Sequence, residues 1–297
     1  MPTLRQLRYF EAAARLGHFG RAAEECAVSQ PALSMQIKEL ETELGAVLFE
    51  RRPREVVLTP LGHEIADRAA KILLAANDLS AIAKHQTKVL AGPLSLGIIP
   101  TLAPYVLPRL LVYLQKQYPQ LRLELREAQT KTMLAELSRG ELDLVMAAIP
   151  NQTSDLEEEH LFDDRFLLAT SLENATKARV DPETLDPARL ILLEEGHCLR
   201  DQALSFCALE RGVTKTGLGA TSLSTVMQMV ANGYGATFIP EIAVETETRG
   251  RNLSLTRFTA PEPSRRIGLV WRKTSPRKRD FKAFSAAVKD ALKPKRK

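Results

Sequence analysis

The chain has 297 residues, 44% hydrophobic and 26% charged, a globular balance with room for two or three domains that each bury a core. No apolar run reaches the ~18 residues of a membrane span, and the start Met1-Pro2-Thr3-Leu4-Arg5 has no secretory apolar stretch, so no membrane partner and a cytoplasmic location are expected. Three cysteines in a reducing compartment argue against a structural disulfide framework and leave room for a reactive one; no Cys/His cluster has zinc spacing, and neither metal nor cofactor is expected.

The net charge of +5 is unevenly placed. Residues 1–60 carry eight Lys/Arg against eight Asp/Glu, whereas residues 264–297 carry thirteen against two. Basicity therefore cannot argue for nucleic-acid binding by the N-terminal region; only its residue pattern can. The end Lys293-Pro294-Lys295-Arg296-Lys297 reads as a solvated, frayed terminus.

Thr3 and Gln6 form a capping-box pattern ahead of the helical stripe Leu4, Leu7, Phe10 and Ala14, and Gly17 and Gly20 punctuate it. A short second helix runs from Arg21 to Cys26, with Cys26 read as a core residue. Ser29-Gln30-Pro31 opens a third helix with an N-cap serine and a first-turn proline. Its apolar stripe is Leu33, Ile37, Leu40 and Leu44, and Gly45 stops it. The opposite face offers Gln30, Ser34, Met35 and Lys38. This is the helix-turn-helix layout, whose second element enters the major groove of double-stranded DNA. Residues 50–59 read as a hairpin whose Arg51, Arg52 and Arg54 suit phosphate or minor-groove contact, which makes a winged helix-turn-helix.

Here the residues carry a resemblance. Ala22-Ala23, Val28-Ser29-Gln30-Pro31-Ala32-Leu33-Ser34, Leu40-Glu41, Leu44-Gly45, Leu48-Phe49-Glu50-Arg51 and Leu58-Thr59-Pro60-Leu61-Gly62 resemble the signature of LysR-type transcriptional regulators. Met35 departs from it, because many members place Arg there. The resemblance implies that Gln30, Pro31 and Ser34 lie at the DNA groove and that Arg51 and Arg54 lie on the wing. Ser29 and Pro31 serve equally as plain helix starters.

From Gly62 to about residue 87 no proline and no further glycine interrupts the chain. Ile65, Ala69, Ile72, Ala76, Leu79 and Ala83 alternate steps of four and three, a heptad seam that predicts pairing with a second copy. An amphipathic helix packed on its own domain is the alternative reading of the same pattern. Ala91-Gly92-Pro93 then breaks the helix. The expected organisation is residues 1–61 for DNA binding, 62–90 for dimerisation, and 91–297 for regulation.

In the last two hundred residues, strand patterns (Leu94–Ile99, Leu121–Leu125, Asp143–Ile149) alternate with helix patterns (Tyr105–Tyr118, Lys131–Arg139), the logic of βαβ units. A second set follows: strands at Phe166–Thr170 and Leu190–Leu193, a helix after Cys198, a helix at Leu223–Ala231 and a strand at Ala236–Ile239. One more strand, Ile267–Lys273, and a helix, Phe281–Leu292, end the chain. The family resemblance implies a periplasmic-binding-protein-like domain of two α/β lobes, residues 91–162 with 266–297 and residues 163–265, joined by two crossover strands. Gly233-Tyr234-Gly235-Ala236-Thr237-Phe238-Ile239-Pro240 matches the family pattern of the second lobe.

Two cysteines, Cys198 and Cys207, bracket a predicted helix with apolar positions Leu199, Ala203, Leu204, Phe206 and Leu209 and a stop at Gly212. Nine helical residues rise roughly 13 to 14 Å, whereas a disulfide needs Cα atoms about 4.4 to 6.8 Å apart. The pair can bond only if its helix melts, which would make it a switch. Small buried core residues would have the same spacing.

Glu195-Gly196-His197-Cys198-Leu199-Arg200-Asp201-Gln202-Ala203, with Phe206-Cys207, resembles the peroxide-sensing OxyR branch of the LysR family. So do Ile99-Pro100-Thr101, Glu127-Ala128-Gln129-Thr130 and Arg265 ahead of Ile267-Gly268-Leu269-Val270. That resemblance implies a regulator, not an enzyme, that hydrogen peroxide oxidises at Cys198 and that Cys207 resolves to a disulfide. It places Thr101, Thr130, His197, Asp201 and Arg265 at the peroxide pocket. It also implies a homodimer or homotetramer, RNA polymerase as a partner, and a thiol reductant for reset. Cys198 precedes a helix, so a lowered thiol pKa is expected there. A LysR-type regulator of a small organic effector with idle cysteines, a thiol peroxidase and a transport-type binding protein are the competing readings.

Overall fold

Thr3 begins the first helix as its sequence requires: its hydroxyl accepts from the Gln6 N–H, and the Gln6 side chain accepts from the Thr3 N–H. The computed structural model describes residues 1–52, 55–84, 88–151, 153–176, 178–207 and 219–293 and divides into two units, residues 1–86 and 87–297. Among the described residues no helix is long and apolar enough to cross a membrane.

The first unit holds α1 (Leu4–Leu16), α2 (Phe19–Glu25), α3 (Gln30–Leu44), the hairpin β1 (Phe49–Arg52) and β2 (Glu55–Leu58), and the long α4 (Pro60–Lys84). Helix α2 starts two residues before the predicted Arg21, because the His18 ring accepts the Arg21 N–H at 3.2 Å and caps it. Gly20 is therefore inside a helix, and Gly17 alone punctuates, in the left-handed conformation at φ 61°. In α3 Leu33, Ile37 and Leu40 are buried, but Leu44 is exposed because the stripe runs past the three-helix core. Cys26 is half-buried against that core.

The Glu41 carboxylate of α3 accepts the N–H groups of Leu48 (2.7 Å) and Phe49 (3.3 Å), which ties the wing to the helix. Phe49 then packs edge-on against Phe10 and Phe19. Thr59 Oγ1 accepts the Gly62 N–H and donates to the Val47 carbonyl, both at 2.9 Å. A Cβ at Gly62 would lie 2.2 Å from the Leu48 carbonyl oxygen, so only glycine lets α4 begin this close to the wing. The expected seam of α4 is divided. Ala69 is buried and Ile65 half-buried on their own domain's core, whereas Ile72 and Leu79 are exposed. The Ala83 side chain lies outside the described residues.

The second unit contains β3 (Gly92–Ile98), α5 (Ala103–Gln117), β4 (Leu121–Glu127), α6 (Thr130–Arg139), β5 (Leu144–Ile149), β6 (Leu156–Ser171), β7 (Leu192–Leu193), α7 (Cys198–Phe206), β8 (Gly219–Ala220), α8 (Leu223–Ala231), β9 (Thr237–Pro240), α9 (Val244–Glu247), β10 (Leu253–Arg257), β11 (Ser264–Arg272) and α10 (Lys278–Leu292). Its main sheet runs β10-β6-β11-β5-β3-β4, with β9 also on β6. β3 is parallel to β4 and β5, while β6 and β11 are antiparallel to each other and belong to both halves. One core gathers residues of β3, β5, α5, α6, β11 and α10, including Trp271, Phe281 and Phe284. The other gathers Phe166, Leu192, Leu204, Val226, Phe238 and Phe258. These are the two lobes. Tyr105 of α5 reaches across to the second core, where its hydroxyl donates to the buried Glu247 at 2.8 Å.

The sequence pattern caught only the second half of β6, Phe166–Thr170, and missed β10 and the two-residue β8. β6 begins ten residues before Phe166, through Glu157-Glu158-Glu159, a composition that strands ordinarily avoid. Charges from α10 make it tolerable: Lys278 bonds Glu157 at 2.9 Å, and Lys282 and Lys289 bond Glu159 at 3.0 and 3.2 Å. Three lysines of the basic C-terminal region are thus the counterpart of this acidic strand; residues 294–297 lie outside the described residues. β10 was missed because its alternation, Leu253-Ser254-Leu255-Thr256-Arg257, is short and half-buried.

The start of the second unit is held by polar, buried contacts. Asp280 accepts the Leu90 N–H at 3.0 Å and two bonds from Arg277, whose Nη1 also reaches the Pro93 carbonyl and Asp143. Asp280→Ala leaves a buried guanidinium short of its partner and is expected to cost about 3 kcal/mol, read as a lower urea midpoint for the second unit.

Candidate functional site

Strand β7 leads through Glu194-Glu195-Gly196-His197 into α7, which Cys198 opens as its first helical residue. Leu199, Ala203 and Leu204 are buried in the second lobe, while the Cys198 side chain packs against the core of the first. Cys207 caps the other end of α7, buried in the second core. Both cysteines are free thiols. An intact helix of this length holds them roughly 13 Å apart, beyond the reach of a disulfide. The predicted continuation through Leu209 to Gly212 lies outside the described residues, and Cys207 already ends the described helix.

Cys198, His197 and Gly196 face Ile99, Pro100, Thr101, Gln129 and Thr130 across a cavity between the lobes. Its volume open to the centre of a water-sized sphere is about 10 Å³, room for about one water-sized molecule. Beside it Arg265 has no exposed side-chain surface. Its Nε donates to Asp164 Oδ2 at 2.9 Å, Nη1 to Thr101 Oγ1 at 2.8 Å and Nη2 to the Thr101 carbonyl at 3.1 Å. The guanidinium also lies over the Phe166 ring, 5.7 Å from its centroid. Asp164 Oδ1 accepts the Ile242 N–H.

The threonines do not cap helices here: α5 starts after Leu102, and Thr130 is already inside α6. The Thr130 hydroxyl is buried beside Cys198 and lacks a hydrogen-bond partner of good geometry. Such an orphan costs stability unless a ligand or water satisfies it. His197 lines the cavity but makes no side-chain cap. Asp201 sits in the first turn of α7, exposed and off the cavity wall, and acts on Cys198 only through its charge. Of the five pocket residues anticipated, four gather at or beside Cys198. Sequence reasoning missed Asp164, which no local motif marks, and left Gln129 without a role although it stands in a recognised quartet.

Burial sets the electrostatics. It pushes the Cys198 thiol above its ordinary range, against the Arg265 charge, the Thr130 hydroxyl and the Leu199 N–H, which pull it down; Asp201 pushes it further up. The expectation that the helix start alone would lower this pKa is therefore corrected: desolvation outweighs it. Burial also pushes Cys207 up to about 11 and holds the His197 imidazole below its usual pKa.

In the first unit, Gln30, Pro31, Met35 and Lys38 are exposed on α3, opposite its buried stripe. Gln30, Ser34 and Lys38 line a cleft of about 570 Å³ with the α1–α2 turn and the wing residues Phe49, Glu50 and Val56. Ser29 is spent on the helix, accepting the Ala32 N–H. Arg51 lies in β1 with its side chain outside the described residues, as is the whole of Arg54.

Residues 4–63 match the family model described as bacterial regulatory helix-turn-helix protein, lysR family, and residues 87–293 match the LysR substrate binding domain. The DNA-binding transcriptional dual regulator OxyR of Escherichia coli K12 is 40% identical over 96% of this chain and 94% of its own. A full-length OxyR of Pseudomonas aeruginosa with a cysteine-to-aspartate substitution superposes with a TM-score of 0.76 at 37% identity, covering 97% of this chain and 98% of that one. A cysteine-to-serine mutant of Corynebacterium glutamicum OxyR, H2O2-bound, gives 0.65 at 38% identity over 98% and 92%.

The charges around Cys198 make a test with opposite signs. Arg265→Gln removes the strongest influence favouring the thiolate and is expected to move the Cys198 alkylation profile to higher pH. Asp201→Asn removes an opposing charge and should move it to lower pH. Cys207 should stay protected in both until the pH nears 11 or the fold opens. Alkylation rate against pH, resolved by mass spectrometry, reads all three.

Proposed function

Because the chain belongs to the LysR family of bacterial helix-turn-helix regulators, in its OxyR branch, we propose that it is a DNA-binding transcription regulator that senses hydrogen peroxide through Cys198 and Cys207. One observation carries the reading: a cysteine and a buried threonine hydroxyl with no hydrogen-bond partner of good geometry meet at a cavity with room for about one water-sized molecule, with a buried guanidinium beside it. An organic effector does not fit there.

The Cys198 thiolate attacks one peroxide oxygen. The O–O bond breaks, the sulfur becomes a sulfenic acid, and hydroxide leaves and takes a proton to form water. Thr101 and Thr130 offer hydroxyls to the peroxide, and Arg265 stabilises the thiolate and the departing charge. The Cys207 thiolate then attacks the Cys198 sulfur, displacing a second hydroxide, which becomes water. Two thiols have become one disulfide and the peroxide has been reduced to two waters. A cellular thiol reductant reverses the step.

The second step cannot occur in this fold, because α7 keeps the sulfurs apart. Closing a ten-residue loop costs about 2.7 kcal/mol of chain entropy. Melting α7 also frees Phe206 from its tilted contact with Phe166 (5.5 Å between centroids) and its stack on Phe238 (6.3 Å). Disulfide formation therefore selects a second packing of the lobe, a two-state element biased by a local event. In this reading residues 62–90 dimerise the chain, and the repacked lobe alters the dimer or tetramer on DNA and its engagement of RNA polymerase. Gln30, Pro31, Ser34, Met35 and Lys38 of α3 contact the DNA in this reading, and Arg51 and Arg54 are assigned wing contacts from the family resemblance alone.

Stoichiometric hydrogen peroxide on the full chain, followed by alkylation and mass spectrometry, should yield a Cys198–Cys207 disulfide at near one-to-one. Two unchanged thiols would overturn the reading. Cys198→Ser should bind promoter DNA without responding to peroxide, and Cys207→Ser should stop at a dimedone-reactive sulfenic acid. Lys38→Ala should weaken binding across sequences and reduce the salt slope of log K by about 1.

A further inference from the structure

We propose that Gln129 is the lid of the Cys198 cavity and decides which hydroperoxides reach the sulfur. The inference rests on the peroxide-sensing reading of that cavity and adds a specificity-determining residue to it. Gln129 occupies the cap position of α6 yet makes no capping bond. Glutamine is not among the favoured N-cap residues, so helix stability does not account for it. Its carboxamide instead crosses between the lobes and donates from Nε2 to the Glu195 carbonyl at 3.3 Å.

The segment beneath it is shaped to receive it. Gly196 has φ +91°, and a Cβ there would lie 2.4 Å from Gln129 Oε1 and 2.7 Å from both Cδ and Nε2. The carboxamide therefore lies against bare backbone, a contact that a side chain at residue 196 would prevent. Glu195 and Gly196 are exposed and His197, the next residue, is buried, so this is where the cavity wall meets solvent.

The remaining wall is stiff. Ile99 and Pro100 follow a sheet strand, Thr101 is bonded twice by Arg265, and Thr130 and Cys198 sit in the first turns of helices. Gln129 alone among the lining residues combines a long side chain with a single hydrogen bond to an exposed loop. Hydrogen peroxide, with two heavy atoms, is the smallest hydroperoxide and asks the least displacement of a room that holds about one water-sized molecule. An alkyl hydroperoxide brings a hydrocarbon group that must displace the carboxamide and leave the Glu195 carbonyl without its bond.

The test compares the full-length protein with Gln129→Ala, both carrying Cys207→Ser so that oxidation stops at Cys198. Sulfenic acid formation is timed with hydrogen peroxide and with tert-butyl hydroperoxide. In the variant the preference for hydrogen peroxide should fall by about tenfold or more, through a faster tert-butyl reaction. Gln129→Met, which restores bulk without the hydrogen bond, should recover most of the preference. A merely structural role would slow both oxidants together. If the parent reacts with hydrogen peroxide and the ratio is the same in both proteins, the lid is overturned while the sensor reading stands. If Cys198 of the parent is inert to hydrogen peroxide, the sensor reading falls and the lid with it.

Discussion

A guanidinium with no exposed surface is the constraint on which the regulatory unit depends. Arg265 leaves the crossover strand β11 and bonds Asp164 on the other crossover strand, β6, and both oxygens of Thr101 in the turn before α5. Asp164 in turn holds the backbone of Ile242 in the second lobe. A buried charge is tolerable only when its hydrogen bonds are met, so each partner fixes the next. The lobes are thereby held in one relation at the place where the Cys198 thiol lies. The charge that organises the fold is also the largest influence drawing that thiol toward the thiolate.

Helix α7 adds the second half of the design. One end presents Cys198 to the first lobe's core, and the other buries Cys207 in the second. Burial raises both thiols, so the reduced fold favours the neutral form of each. In the proposed chemistry the same arrangement makes the first oxidation a local event and the second a conformational one. Hydrophobic packing of Leu204 and Phe206 opposes the disulfide, and sulfur chemistry must outweigh it.

Charge elsewhere serves construction. The basic α10 neutralises the glutamates of β6, and Arg277 with Asp280 and Asp143 fixes the start of the regulatory unit. In the first unit Glu41 anchors the wing to α3 through backbone N–H groups. None of these charges is available to be counted as affinity for DNA, which is why net charge was a poor guide to function here.

Local physics was legible in the sequence. Thr3 with Gln6, Ser29 with Pro31, and the glycines at 17 and 45 start and stop the helices they appeared to, because capping depends on residues within one turn. The separation of Cys198 from Cys207 followed from helical rise alone. Family resemblance brought Thr101, Thr130, His197 and Arg265 to the same place before any coordinates. Tertiary structure decided the rest. Strand β6 runs through three consecutive glutamates because a distant helix supplies the lysines, a pairing more than a hundred residues long that no window can see. Asp164 and the carboxamide of Gln129 gained their places only when two lobes closed on one cavity. The direction of the Cys198 pKa reversed for the same reason: a helix start is a local property, but desolvation belongs to the whole packed fold.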